Sequence, residues 1–575
     1  MSDALSKVKN FFNKNEYNIL HAITDLRNRR TVEEIVQSMT SSNMITMTGL
    51  ATDINDTKYG HEKIYTELSK VSHLIRNNIN LLYEINLTLF EMFKDRINDN
   101  TLIIVDGSPL KMLNGDRVEN VSVTHMPTEV PNVGLGFTFY AALGVNEGEQ
   151  PFPIGVYLVD TGGKDTYNEN EYNSSLDVDR EHYDGRKNIA STIILRNCKL
   201  AQEEYFREPL CFKNQELILP EKMMTTKEIC KAIKMHASLD AAVPRDSKNE
   251  SDNRREPRNI SMNMMAAFNS KLSTQDLFNQ GLLFISPNME IKIFLCFIVE
   301  RLKNVRPLFV FDRGFNSQQL LNFFDRVGIR YLVRIDDDRL FYIGENKDKY
   351  YAKNFPSQRN CLLKADKYTR KVLKKSEVEE NLANNEKMIL GSIRAAKVMR
   401  ATDSKIKNKK PANTSEVMLV EYTPNKKSYK TEESSKKLYI ITNDVNLSLG
   451  NLKKLVCAYF LRWRIETFFQ QVKKIFDLDG MKYTSIVSIQ NILALVFLTS
   501  AVVLKFTENK KDERTVKNIA SRYSSKTQVF LRTYFNGIRR ILKNPIDLEI
   551  TDYRNKVIDK ISEIIGLKIC VEIVS

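Results

Sequence analysis

The chain has few of the residues that build zinc sites or disulfide frameworks. Its 575 residues include seven cysteines and six histidines, and neither type recurs at the spacing of metal ligands. The cysteines are odd in number and form no C-x-x-C pair, which favours a reducing compartment. A catalytic metal ion is therefore expected to be a hard cation bound by oxygen atoms, such as Mg²⁺ or Mn²⁺.

Long apolar runs are also scarce. The N-terminal segment lacks the apolar stretch of a signal peptide. The longest uncharged stretch, 484–504, is interrupted by serine, threonine, asparagine and glutamine. We therefore expect a buried helix in this stretch and no membrane partner.

Positive charge is in excess over negative charge. Lysine and arginine number 86 against 71 aspartates and glutamates, which gives a formal net charge of +15. Such a balance indicates a polyanionic partner, and nucleic acid is the first candidate. The hydrophobic content of 42% is typical of a globular protein, and the length predicts about three or four domains.

The spacing of apolar residues divides the chain into helical and strand-rich parts. Helical periodicity covers residues 1–98 almost throughout, in runs at 8–26, 31–39, 62–75 and 79–93. We interpret this part as a helical domain that either contacts DNA ends or only assists folding. Strand-like runs at 101–107, 136–145 and 152–159 predict an antiparallel start to a mixed sheet. A helix is predicted at 289–302. It is followed by a strand at 307–311, a helix at 316–327 and a strand at 330–335, whose short connections predict a parallel pair.

The remaining segments are a basic stretch and a late group of helices. Residues 336–437 carry dense lysine and arginine clusters, which favour phosphate contact although such clusters usually lie in solvated loops. A strand at 438–442 leads into the helices that follow. The predicted boundaries are a helical domain (1–98), a first core part (99–162), an unassigned and partly disordered insertion (163–284), a second core part (285–337), a basic strand-rich insertion (338–448), a third core part (449–510) and a basic C-terminal region (511–575).

Four polar residues lie at helical spacing near position 460. They are Tyr459, Arg462, Glu466 and Lys473, at offsets 0, 3, 7 and 14. On one continuous helix they would share an arc about 60° wide, opposite an apolar face. The pattern fits a metal-binding carboxylate between phosphate-binding groups, and it equally fits the ion pairs of an ordinary surface helix.

Two further acids are predicted at the ends of apolar strands. Asp106 and Asp312 each precede a glycine within two residues, which is expected where the backbone turns sharply. Either acid alone is most simply a turn residue. With Glu466 they form an ordered set of two strand-end acids and one late helical acid.

That order resembles the ribonuclease H-like, or retroviral-integrase-like, catalytic core of the DDE transposases. The run Y-(2)-R-(3)-E-(6)-K from Tyr459 to Lys473 is similar to the YREK signature of the bacterial insertion-sequence-four family, and that family also uses D-R-G-F, here at Asp312. The resemblance extends from about Thr101 to Phe506, broken by 163–284. It implies an α/β fold in which a mixed sheet carries the core, with an N-terminal helical domain and a strand-rich insertion before the Glu-bearing helix.

The resemblance also implies a chemistry. Two Mg²⁺ or Mn²⁺ ions would be held by Asp106, Asp312 and Glu466, with Asp106 bridging both. Tyr459, Arg462 and Lys473 would bind the phosphate at the transposon end.

The implied protein is a DNA transposase that cuts and joins double-stranded DNA at terminal inverted repeats and inserts it into target DNA. It would act as a homodimer in the cytoplasm of a bacterial or archaeal cell, associated with the nucleoid. Family members commonly excise through a DNA hairpin. Because the only tryptophan, Trp463, lies inside the signature, a base-stacking residue would be Tyr439, Tyr368 or Tyr350.

Two other functions stay open on the sequence. One is a DNA-binding derivative of such an enzyme that no longer catalyses, against which the retention of all three acids argues. The other is a ribonuclease H-like nuclease that acts on other nucleic acid. The set of Tyr459, Arg462 and Lys473 favours the transposase, because a simple hydrolase needs only the acids.

Overall fold

The structure is a computed structural model that describes most of the chain outside one long internal segment. The described residues are 22–58, 64–112, 118, 122–125, 133–159, 189–207, 287–344, 348–373, 388–401, 413–430, 436–508, 510–521, 530–543, 557, 560, 561 and 564. The start of the first predicted helix and most of the predicted insertion 163–284 lie outside them. The chain forms two compact units, one of Met1–Glu119, His125–Leu158 and Leu302–Ser575 and one of Asn120–Thr124 and Val159–Arg301.

The described helices and strands are numbered here in chain order. The helices are α1 (Leu26–Ser42), α2 (Met47–Lys58), α3 (Ile64–Asn77), α4 (Leu81–Phe93), α5 (Ile189–Asn197), α6 (Lys199–Arg207), α7 (Pro287–Leu302), α8 (Gln318–Arg326), α9 (Lys367–Val372), α10 (Leu449–Phe460), α11 (Trp463–Phe476), α12 (Ile486–Phe506), α13 (Lys510–Ser521) and α14 (Phe530–Lys543). The strands are β1 (Leu102–Lys111), β2 (Ser122–His125), β3 (Val133–Val145), β4 (Phe152–Leu158), β5 (Leu308–Phe311), β6 (Arg330–Ile335), β7 (Leu340–Ile343), β8 (Asp348–Tyr351), β9 (Arg359–Lys364), β10 (Ile389–Ala401), β11 (Thr414–Pro424) and β12 (Leu438–Thr442).

A mixed sheet forms the centre of the first unit. Its strand order is β3-β1-β5-β6-β12-β11-β10-β7-β8, with β4 added beside β3 and β9 beside β10. Strands β1, β5 and β6 run parallel, whereas β1–β3, β3–β4 and the strands from β12 onward pair antiparallel. The predicted mixed α/β sheet, its antiparallel start and its parallel pair at 307–335 are therefore confirmed.

Helix α12 is the buried centre of the helical layer in the same unit. All of its residues except Lys505 are buried, and α1, α3 and α4 pack against it. The Asn491 amide donates hydrogen bonds to the carbonyls of Ile75 and Asn78 at 3.1 and 2.8 Å. The helix is long and apolar enough to cross a membrane, but its apolar window is wholly buried inside the protein. This confirms the buried helix predicted at 484–504.

The prediction that Asp106 ends its strand was wrong. Strand β1 continues to Lys111 because β3 offers it partners along that whole length, from Asp106 opposite Ala141 to Lys111 opposite Gly136. Only the parallel pairing with β5 stops, at Val105. Gly107 does not form a turn. It allows the Tyr140 ring to lie close to the β1 backbone, since a Cβ at that position would be 2.9 Å from the ring.

The second unit contains α5, α6 and α7 up to Arg301. Glu300 on α7 accepts a hydrogen bond from the Leu200 amide at 2.8 Å and from the Cys198 thiol at 3.2 Å. Burial raises the pKa of that thiol to about 12, so Cys198 is an unreactive structural thiol.

Candidate functional site

The parallel register of the sheet brings two of the predicted acids side by side. Val105 on β1 pairs with Phe311 on β5. Asp106 and Asp312 are the residues that directly follow this pair. Asp312 has extended backbone angles and begins the 3₁₀ turn Arg313–Phe315, as predicted for a strand-end acid. Asp106 therefore lies inside strand β1, whereas Asp312 directly follows the end of strand β5.

The signature residues lie on two helices, so the prediction of one continuous helix was wrong. Helix α10 ends at Phe460 and α11 begins at Trp463. Between them, the Arg462 and Arg464 amides donate to the carbonyls three residues earlier, at 2.9 and 3.0 Å. The intervening residues keep helical dihedral angles, and so the apolar periodicity of the sequence carries no sign of this tightened turn.

Arg462 lies among all three predicted acids. One terminal nitrogen donates to Asp106 Oδ2 at 2.7 Å and lies 3.8 Å from Asp312 Oδ2. The other donates to Glu466 Oε1 at 2.5 Å. The guanidinium thus joins carboxylates from a strand, a strand end and a helix at one point.

Tyr459 and Arg334 complete the surroundings of Asp312. The Tyr459 hydroxyl donates to Asp312 Oδ1 at 3.0 Å, and Arg334 Nη1 on β6 lies 3.9 Å from the same oxygen. Burial raises the pKa of Asp312, but Arg462, the Arg313 amide, Arg334 and Tyr459 together outweigh it and hold that pKa below its ordinary value. Asp312 is therefore ionised at neutral pH.

Asp106 has the opposite shift. Burial is the largest cause and raises its pKa from 3.8 to about 6, assisted by the neighbouring Asp312 and Glu466 and opposed by Arg462 and the Gly107 amide. Its own backbone neighbour supplies that last bond, since the Gly107 N–H donates to Asp106 Oδ1 at 2.9 Å. Glu466 is the most open of the three, with 40% of its side chain exposed.

Lys473 lies apart from the carboxylates. Its ammonium donates to the Pro109 carbonyl and lies 3.8 Å from Asp479 Oδ1. Seven residues of helix separate it from Glu466, a distance of about 10 Å along the axis. Burial lowers the pKa of Lys473 and Asp479 partly offsets that effect.

The three carboxylates have the donor chemistry that hard divalent cations prefer. Within the described residues, no three His, Cys, Asp or Glu side chains are close enough to surround a single metal ion. The oxygen chemistry of the three carboxylates fits hard divalent cations, and Arg462 is bonded to oxygens that such cations would use.

Comparison with known families shows what this region resembles. Residues 291–502 match the family model described as the transposase DDE domain. This part of the chain, called here the DDE-like region, is similar to a transposase DDE domain. The matched residues include Asp312, Glu466 and the whole YREK run, whereas Asp106 precedes them.

The chain is also similar to a curated protein and to a solved structure. The chain is 24% identical over 226 residues to the transposase for insertion sequence element IS231E from Bacillus thuringiensis subsp. finitimus, a match that covers 37% of this chain and 45% of that protein. The match therefore spans less than half of the length of this relative. A piggyBac transposase synaptic complex with hairpin DNA aligns with 95% of this chain and 78% of its own, at 10% identity and a TM-score of 0.31, too low to establish a shared fold.

The DDE-like region also contains contacts that were not predicted from the sequence. Arg334 lies close to Asp312. The feature of the sequence that could have indicated it is a charged residue within the largely apolar strand R-Y-L-V-R-I. Trp463 Nε1 donates to the Val372 carbonyl at 3.0 Å, which ties α11 to α9.

The tyrosines proposed for base stacking differ in exposure. Tyr439 is only 7% exposed and offers no open ring. Tyr350 and Tyr368 are half-buried, while Tyr351, which the sequence reasoning did not select, is 50% exposed.

Proposed function

We propose that this protein is a DNA transposase that binds terminal inverted repeats and cuts and joins DNA by phosphoryl transfer with two divalent cations. The observation that carries the proposal is the convergence of Asp106, Asp312 and Glu466 on Arg462. The similarity of residues 291–502 to a transposase DDE domain supports the same conclusion.

Each side chain has a role in this proposal. Asp106 would hold both Mg²⁺ or Mn²⁺ ions, and Asp312 and Glu466 one each. When bound, such a pair of cations would activate an oxygen nucleophile and stabilise the leaving oxygen. The Tyr459 hydroxyl fixes the carboxylate of Asp312 through its hydrogen bond. Arg462, with a planar fork of donors, would bind the phosphate of the transposon end.

The finer parts of the sequence interpretation remain proposals of the same kind. They are a ribonuclease H-like core, the domain boundaries, DNA contact by the N-terminal helices, a phosphate role for Lys473 and Tyr459, a homodimer on paired ends, and location in the cytoplasm beside the nucleoid. A hairpin intermediate belongs with them, and Tyr351 now joins Tyr350 and Tyr368 as a candidate stacking residue. The net charge of +15 supports a long DNA contact.

The decisive test is the Glu466→Gln variant. It removes one anionic metal ligand and keeps the shape of the side chain, so Mg²⁺-dependent cleavage of end DNA should fall by at least about 10³-fold while end binding stays within a few-fold. Cleavage is measured on labelled DNA that carries the inverted repeats flanking the coding region, and binding on the same DNA by gel shift.

Glu91→Gln is the matched control, because Glu91 lies on the helical surface, where it forms an i, i+3 ion pair with Lys94. Full cleavage by purified Glu466→Gln protein would refute the catalytic assignment. Binding of the ends without cleavage by the wild type in Mg²⁺ or Mn²⁺ would favour the non-catalytic derivative. Equal cleavage of unrelated nucleic acid would favour the nuclease.

A further inference from the structure

Arg462 uses the carboxylate oxygens that the proposed metal ions need. Its two terminal nitrogens bond to Asp106 Oδ2 and Glu466 Oε1, and the second oxygen of Asp312 lies 3.8 Å away. Only 16% of the Arg462 side chain is exposed. A cation cannot bind those oxygens from the same direction while the guanidinium holds them.

The guanidinium is well placed electrostatically and imperfectly placed for hydrogen bonding. Three carboxylates around one buried point repel one another, and one positive charge between them offsets much of that repulsion. Its Nε, however, is buried and has no hydrogen-bond partner in the described part of the chain. An arginine with an unsatisfied buried donor is easier to displace than one whose donors are all paired.

We propose that Arg462 is the built-in counter-cation of the carboxylate set and competes with divalent cations for it. Arg462 holds Asp106, Asp312 and Glu466 together, and metal binding releases its guanidinium, which is then available to a DNA phosphate. This inference rests on the proposed function, and it adds that metal loading and phosphate binding are coupled through one side chain.

The test is Mn²⁺ binding to the full-length protein without DNA, measured by titration calorimetry. Arg462→Gln removes the competing charge, so its affinity for Mn²⁺ should rise about tenfold over wild type. Arg464→Gln is the matched control: it removes a charge two residues further along, in the first turn of α11, where Arg464 donates to the Glu149 carbonyl and to none of the three acids. Its affinity should stay within about twofold of the wild-type value.

Thermal unfolding supplies the second readout. In EDTA, Arg462→Gln should unfold at a lower temperature than wild type because the carboxylates lose their counter-cation, and saturating Mn²⁺ should restore most of the difference. If Arg464→Gln unfolds at a lower temperature than wild type, that difference should remain in saturating Mn²⁺. Arg462→Lys, which keeps the charge, should bind Mn²⁺ as weakly as wild type.

The outcomes separate this inference from the proposed function. Mn²⁺ affinity that is unchanged or lower in Arg462→Gln, with Asp106→Asn and Glu466→Gln both losing Mn²⁺, overturns the competition and leaves the metal site standing. Wild-type Mn²⁺ binding in Asp106→Asn and Glu466→Gln overturns the proposed function itself. If Arg462→Gln does not fold, the Arg462→Lys titration decides, because tighter Mn²⁺ binding by that variant would contradict charge competition.

Discussion

Asp106 is the acid whose protonation is most strongly altered by its position. It lies within β1 next to Asp312, is near Glu466, and has Arg462 as its compensating charge. Because burial and two like charges act together, its carboxylate takes up a proton far more readily than an exposed aspartate. A raised carboxylate pKa within a catalytic cluster is typical of functional sites, where binding needs have outweighed stability.

This shift predicts how stability in EDTA depends on pH. Between the ordinary value of 3.8 and about 6, folded Asp106 retains a proton that the unfolded chain has released. The folded state binds more protons in that window, so this residue makes the protein less stable as pH rises through it. Thermal unfolding of Asp106→Asn from pH 4 to 7 should therefore lack part of the decline seen in wild type.

Glu91→Asn provides the comparison for removal of an exposed acid, since 54% of the Glu91 side chain is exposed. Its pH profile should follow that of the wild type. An Asp106→Asn profile that coincides with both would show that Asp106 titrates at its ordinary pKa.

Among the elements, strand β10 is joined to helix α8 by a buried arginine. Arg400 is 1% exposed, donates to Asn322 Oδ1 at 2.7 Å and forms an ion pair with Asp325. The Ser415 hydroxyl on β11 donates to the same Asp325 carboxylate at 2.8 Å. Because α8 directly follows the turn at Asp312, this anchor connects the strand-rich segment to the element that positions Asp312.

Replacing that arginine should be costly. Arg400→Met keeps much of the volume but leaves Asp325 and Asn322 without their main donor, so the free energy of unfolding should fall by about 2 kcal/mol. Chemical denaturation measures the change.

Arg394→Met on the same strand is the matched variant. Arg394 is 36% exposed, and its partner Glu421 retains Lys437 at 3.4 Å. The cost should therefore stay below about 1 kcal/mol. Equal losses for the two arginines would mean that the Arg400 cluster is no more than a surface ion pair.

Regular elements could be predicted from the sequence where the local pattern decides them. The strand Leu438–Thr442 was predicted to the residue, and the α7, α8 and α12 helices within a few residues. Helix α2 was missed because M-T-G-L-A-T-D-I-N-D-T-K is rich in residues with low helix propensity, and its packing against α3 decides its structure.

The sequence was enough to select the three acids of the candidate site, but it did not predict the extension of β1 or the contact made by Lys473. Residue types and spacing selected Asp106, Asp312 and Glu466, which the fold brings to one guanidinium. The extension of β1 past Asp106 depends on its partner β3, which pairs Asp106 with Ala141 and Lys111 with Gly136, residues far apart in the sequence. The bond from Lys473 to the Pro109 carbonyl depends on that extension. Long-range pairing of this kind leaves no local periodicity to detect.

At the scale of the whole molecule, the N-terminal helices and the sheet belong to one compact unit. Helix α4 binds the sheet through Asn86, whose amide exchanges two hydrogen bonds of 2.8 Å with the backbone of Val156 on β4. Helices α1, α3 and α4 also cover the apolar helix α12. The sequence predicts a separate domain at 1–98. A domain that folds by itself would not need these contacts with β4 and α12.

Deletion of residues 1–98 distinguishes a separable domain from an integral layer. The truncated protein exposes α12, whose 21 residues are apolar enough to resemble a membrane span, and an exposed patch of that size drives aggregation. We expect the deletion variant to be insoluble or to elute as aggregates on size exclusion. Tyr65→Ser, which changes an 85% exposed aromatic in the same helices, should elute as wild type does. A soluble deletion variant that unfolds cooperatively would establish 1–98 as an independent domain, because the helices would then contribute nothing that the sheet and α12 need in order to fold.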